Sequence, residues 1–133
     1  MKSFINFLTG TVLTGVLYLL GGWDIALQTL LIVIIIDYVS GICKAIYKKK
    51  LNSKVGIKGI VKKFAYLLTV ALAVELDQIM GNTGAIRTLV IYFFVANDGI
   101  SILENIGGMG IPLPKKLADV LEQLKNDNDP KNG

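Results

Sequence analysis

IALQTLLIVIIIDYVSGICKAIY, residues 25–47, is the stretch that decides what kind of fold this chain can adopt. Residues 30–36 are apolar without interruption. A helix rises about 1.5 Å per residue, so the stretch is long enough to cross a hydrocarbon core of about 30 Å. Lipid offers no hydrogen bonds to unpaired backbone groups, so a crossing segment of this kind is helical.

The composition around it agrees. Across 133 residues the apolar share is 53% and the charged share 18%, with a mean hydropathy of +0.58. Soluble domains carry about a quarter charged residues. Such a chain has little polar surface to offer water, and lipid is the better solvent for it. Three further apolar stretches flank the first, giving spans at about residues 4–20, 25–47, 64–80 and 86–106. The expected fold is an all-α integral membrane protein with a transmembrane domain over residues 1–108.

The first span carries Gly10, Thr11, Thr14 and Gly15, small residues at the four-residue spacing that lets membrane helices approach closely. No A-x-A-like cleavage site follows it, so a secretory signal is the lesser reading. The third span is the weakest, because Glu75 and Asp77 interrupt it. Its Leu, Ile, Val and Phe side chains contribute roughly −2 to −5 kcal/mol to insertion, against about +2.5 to +3.5 for one central acid. Both acids lie near its end, which favours crossing.

Seven lysines, Lys48, Lys49, Lys50, Lys54, Lys58, Lys62 and Lys63, fall between the second and third spans with no acid among them. Short basic loops stay in the cytoplasm, which places both chain ends there too. These lysines are expected at the cytoplasmic membrane surface, where anionic head groups attract them. Nucleic-acid binding is not expected, since no fold or stacking platform for it is present. After Pro112 and Pro114, Leu113, Leu117, Val120, Leu121 and Leu124 recur at helical spacing, predicting a cytoplasmic amphipathic helix over residues 109–125. Residues 126–133, almost without apolar side chains, are expected to be disordered.

Charges inside spans are costly and so are candidates for function. Asp37, Ser40, Gly41 and Lys44 share one stripe of the second span, and Asn97, Asp98, Ser101, Glu104 and Asn105 form another on the fourth. Depth pairs Lys44 with Glu104 on the inner side, and Arg87 with Glu75 or Asp77 on the outer side. That leaves Asp37 and Asp98 at mid-depth with no base, a pair needing either water or a proton. Such residues are candidates for a pore lining or for helix packing.

Catalysis has little to stand on. There is no histidine, Cys43 is the single cysteine, and no nucleophile, metal set or cofactor loop is evident. Neither a metal nor a cofactor is expected, and the chain does not read as an enzyme.

Three blocks then identify a family. Ile36-Asp37-Tyr38-Val39-Ser40-Gly41, Ser53-Lys54-Val55-Gly56-Ile57-Lys58-Gly59 and Ala96-Asn97-Asp98-Gly99-Ile100-Ser101, followed by Gly110-Ile111-Pro112-Leu113-Pro114, resemble the bacteriophage holin family that includes clostridial toxin-secretion holins. The likeness spans roughly residues 25–125. It implies a homo-oligomer in the bacterial cytoplasmic membrane that opens lesions for a cell-wall hydrolase (endolysin) or a toxin, leading to host cell lysis. A non-lytic ion or solute transport subunit using Asp37 and Asp98 is the alternative.

Overall fold

The computed structural model describes residues 1–129, and every regular element among them is a helix. In chain order these are α1 (Lys2–Leu19), α2 (Ile25–Tyr47), α3 (Ser53–Ile79), α4 (Ala85–Gly107) and α5 (Lys115–Asn128). Two of them, α2 and α4, are long and apolar enough to cross a membrane.

Local chemistry starts each element. Asp24 caps α2 by accepting the Leu27 N–H at 2.9 Å, and Asn52 caps α3 by accepting that of Val55 at 2.9 Å. Caps of this type are worth about 1 kcal/mol each. α4 begins after Gly84, whose φ of 77° lies in the left-handed region. Its first free N–H groups are taken by a carboxylate from another helix: Asp77 accepts from Ile86 at 2.9 Å and from Arg87 at 2.8 Å.

α4 is the hub, with α2, α3 and α5 packed around it. Leu20, Leu27, Leu30, Val70 and Ile91 form the buried apolar cluster. Elsewhere the usual order is reversed. Asp37, Asp77, Arg87 and Asp98 are buried, Asp98 to 1% exposure, while Ile25 is 76% and Ile79 80% exposed. Many oily side chains thus face outward and these four charges inward, the distribution expected for lipid rather than water.

Three features depart from expectation. α3 begins at Ser53, so most of the segment expected as a basic loop is helix, because Asn52 caps it and only glycines, not prolines, interrupt the run to Lys63. α5 reaches Asn128 rather than ending at 125, its last turn held by Gln123 to Asp127 and by Asn128 to the Leu124 carbonyl. The remainder of the expected disordered tail, residues 130–133, lies outside the described residues. Finally, α1 buries no side chain, and Gly10 and Gly15 face open space. Its small-residue face meets nothing among the described residues.

α5 folds back along α4 instead of standing clear of it. Leu121 lies over Gly99, and a Cβ there would come within 2.8 Å of the Leu121 side chain. Glycine at 99 is what lets the two helices approach.

Candidate polar core

The stripes on α2 and α4 face each other, which the sequence allowed, but their partner comes from elsewhere. Lys63, on α3, reaches between Asp37 and Asp98, forming an ion pair with each, the latter at 2.8 Å. Two expectations are corrected here. Lys63 is not a surface lysine, and the mid-depth acids do have a base. The reason is the early start of α3: once Lys63 is helical, its side chain falls one turn before Tyr66 on the face turned to α4.

Tyr66 extends the network. Its hydroxyl donates to Asp98 at 3.0 Å and accepts from the Asn97 amide at 3.1 Å. Its ring stacks on Phe94 with centroids 4.0 Å apart, and the Lys63 ammonium sits 4.8 Å from the ring centre. On the other side Asn105 donates to the Ser40 hydroxyl at 3.0 Å and to Asp37 at 3.3 Å. No buried side-chain nitrogen or oxygen among the described residues lacks a partner. A network satisfied throughout in this way rigidifies the helices it joins.

Of the residues singled out from sequence, Asp37, Ser40, Asn97 and Asp98 are brought together. Ser101 borders a cavity of about 230 Å³ beside Asp37, Lys62, Lys63 and Asn105. Lys44 and Glu104 form no ion pair among the described residues, correcting that pairing; the Lys44 stem lies against Gly108 and Glu104 is exposed. Lys48, Lys49, Lys50, Lys54, Lys58 and Lys62 are exposed. Tyr66 was missed, since an aromatic within an apolar run carries no signal of its own.

A second cluster closes the opposite end. Arg87 donates from Nε to the Leu20 carbonyl at 2.6 Å, from Nη2 to the Gly22 carbonyl at 3.1 Å, and from both terminal nitrogens to Asp24, at 2.7 and 3.2 Å. Its partner is therefore Asp24, not the expected Glu75, which is exposed, while Asp77 meets only the backbone of Arg87. The fork fits because Gly21, at φ +90°, leaves room that a side chain would fill.

Arg87 holds the Asp24 carboxyl below its ordinary value of 3.8, chiefly through that hydrogen bond. A depressed carboxylate stabilises the fold above its unfolded pKa and ceases to do so as pH falls through the folded value. Acid below about pH 3.8 should therefore loosen the α1–α2 turn in the native chain, and Asp24→Asn should remove that part of the pH dependence. Thermal melts of the detergent-solubilised protein across pH 2 to 6 check this. The Asp24 side chain is 49% exposed, so the effect should be small.

Comparison with known proteins gives a consistent result. The sequence model described as "Bacteriophage holin family" matches residues 14–126. An uncharacterised 14.9 kDa protein from the nagH 3′ region of Clostridium perfringens is 44% identical over 130 residues, covering 95% of this chain and 98% of that protein. An uncharacterised Listeria innocua protein, Lin0175, is 40% identical over 84% of this chain and 86% of its own length. A protein named "Probable holin" from Bacillus phage phi105 is 35% identical over 105 residues, 79% of this chain and 78% of that one. No solved structure matches the chain.

Proposed function

This chain belongs to the bacteriophage holin family, and from that premise we propose that it oligomerises in a bacterial cytoplasmic membrane and opens lesions that release a cell-wall hydrolase or a toxin. It is not an enzyme; the family permeabilises membranes without catalysis. The observation that carries the proposal is the polar seam of Asp37, Lys63, Asp98, Tyr66 and Asn105, enclosed by helices whose outward faces are apolar. Helices built this way are stable in lipid while their charged faces are turned together. They also supply a hydrophilic wall when those faces part.

Four spans fit this reading. At 27 residues α3 is about 40 Å long, so an apolar crossing still leaves its lysine-bearing first turns for the inner head groups. α1 is 18 residues long and mostly apolar; Leu17 packs on the buried cluster, but the face of Gly10 and Gly15 has no partner surface among the described residues. A second copy supplies one, which is a reason for oligomerisation. Both chain ends then lie in the cytoplasm. The carrier alternative loses ground, because Lys63 already occupies the space between the two acids that a transported cation would need.

Induced expression in a bacterium, followed with a potential-sensitive dye, tests the function. A lag with normal growth and then abrupt loss of membrane potential, with release of a co-expressed wall hydrolase, is the expected course. Sustained growth with an intact potential would exclude lesion formation. Reporter fusions after Gly22, Lys50, Asn82 and Asp129 check the topology, since a periplasmic signal is expected at the first and third alone.

A further inference from the structure

The Tyr38 side chain and the segment from Gly56 to Gly59 take no part in the hydrogen bonds of the polar core, yet they meet. The Tyr38 ring lies in a notch on α3 where a Cβ on Gly59 would stand 3.3 Å from its carbons, and one on Gly56 3.3 Å from its hydroxyl. On either side of this contact the seam between α2 and α3 is open. Towards the chain's middle there is a cavity of about 300 Å³ lined mainly by Leu31, Ile34, Ile35, Ile60, Phe64 and Leu67, with Lys63 also on its wall. Towards the lysine turn there is another of about 470 Å³ bordered by Ile42, Leu51, Asn52, Ser53 and Ile57.

We propose that this seam holds an anionic phospholipid of the inner leaflet, with an acyl chain laid along α2 and α3 and its head group on Lys48, Lys49 and Lys50. The assignment rests on the membrane reading above and adds to it a specific lipid site. Length is the first argument. From Leu31 to Ile42 the α2 side of the seam runs about 16 Å, and half of a hydrocarbon core is about 15 Å, the reach of one leaflet's chains.

Charge is the second. The turn after α2 is closed by the Lys49 and Lys50 N–H groups on the Ile46 and Ala45 carbonyls, at 3.0 and 2.8 Å, and its three exposed lysines directly precede Leu51, Asn52 and Ser53 on the border of the second cavity. None of the three has an ion-pair partner among the described residues. Two mainly apolar cavities in line on either side of Tyr38, with a run of lysines beyond the second, complement an amphiphile with an anionic head. Lys54, Lys58 and Lys62, by contrast, recur every four residues on a face of α3 turned away from Ile60 and Phe64. They serve as an internal comparison for general attraction of lysines to anionic lipid.

Tryptophan quenching by lipids brominated on the acyl chain tests the site. In a Trp23→Phe background, Ile35→Trp places an indole at the seam, and Val61→Trp places one at similar depth beside Lys58 and Lys62. The full chain is reconstituted in zwitterionic vesicles containing the same minor fraction of brominated phosphatidylglycerol or brominated phosphatidylcholine. At position 35 the anionic lipid should be enriched about fivefold over the zwitterionic one, the factor one engaged lysine provides. Position 61 should show a clearly smaller preference, and Lys48, Lys49 and Lys50 replaced together by Gln should erase the excess at 35 alone. Equal quenching by both lipids at position 35, or the same excess at both positions, overturns the lipid site while leaving the membrane reading intact. Absence of quenching by either lipid at either position overturns both.

Discussion

Replacing Lys63 by Met should destabilise the helical bundle by about 3–5 kcal/mol, because it leaves two buried carboxylates facing each other with no cation. Asp98 is almost fully buried and Asp37 nearly so, so water cannot take over the role of the ammonium without the helices parting. The effect is specific to position. Lys62→Met, one residue away but exposed, should change stability by no more than about 0.5 kcal/mol. Combining Lys63→Met with Asp37→Asn and Asp98→Asn removes all three charges together and should restore most of the loss. Denaturant unfolding of the detergent-solubilised protein, followed by circular dichroism, measures each difference. Similar losses for Lys62→Met and Lys63→Met would mean that the ion network does not hold the bundle together. If lesions open by the proposed parting of these faces, the Lys63→Met protein should also trigger lysis early in cells.

Arg87→Met should cost about 2–3 kcal/mol, less than the loss of Lys63 and confined to one end. The guanidinium satisfies the Leu20 and Gly22 carbonyls and both oxygens of Asp24, so truncation orphans backbone acceptors next to the buried Leu20 side chain. Asp24 itself is half exposed and relaxes into solvent, which keeps the cost below that of a fully buried pair. Arg87→Lys should recover only part of the loss, because an ammonium cannot present the planar fork that reaches four acceptors. Hydrogen exchange is the decisive measurement. Faster exchange is expected from residues 20 to 28, where the turn and the start of α2 are anchored, with little change in α3. Uniform acceleration through every helix would show that Arg87 supports the whole bundle instead of the α1–α2 junction.

Helices and their faces were legible in the chain because they depend on local spacing. The run at 30–36 requires a helix in any apolar solvent, and a period of 3.6 residues places Asp37 with Ser40 and Asp98 with Ser101, whatever lies opposite. Net charge pattern likewise marked the lysine-rich segment as a unit. What could not be read was the matching of one face to another. Lys63 meets acids 26 and 35 positions away, and Arg87 meets Asp24 across 63. Each pairing depends on the rotation and axial shift of one helix against the next.

Those shifts are set by packing: Tyr38 seated against Gly56 and Gly59, Leu121 over Gly99, Gly21 opening space for a guanidinium. Distance along the chain misplaces Lys63 in depth, because it treats the residues before 64 as loop. As helix, those residues carry the ammonium into the bundle. By itself the sequence determined that most outward faces of these helices would be oily and that Asp37 and Asp98 would lie on polar stripes turned away from lipid, since apolar surroundings make an unpaired charge costly. The tertiary structure alone decided which charge neutralises which, because that choice is made by side-chain contact between helices, and helical periodicity does not encode it.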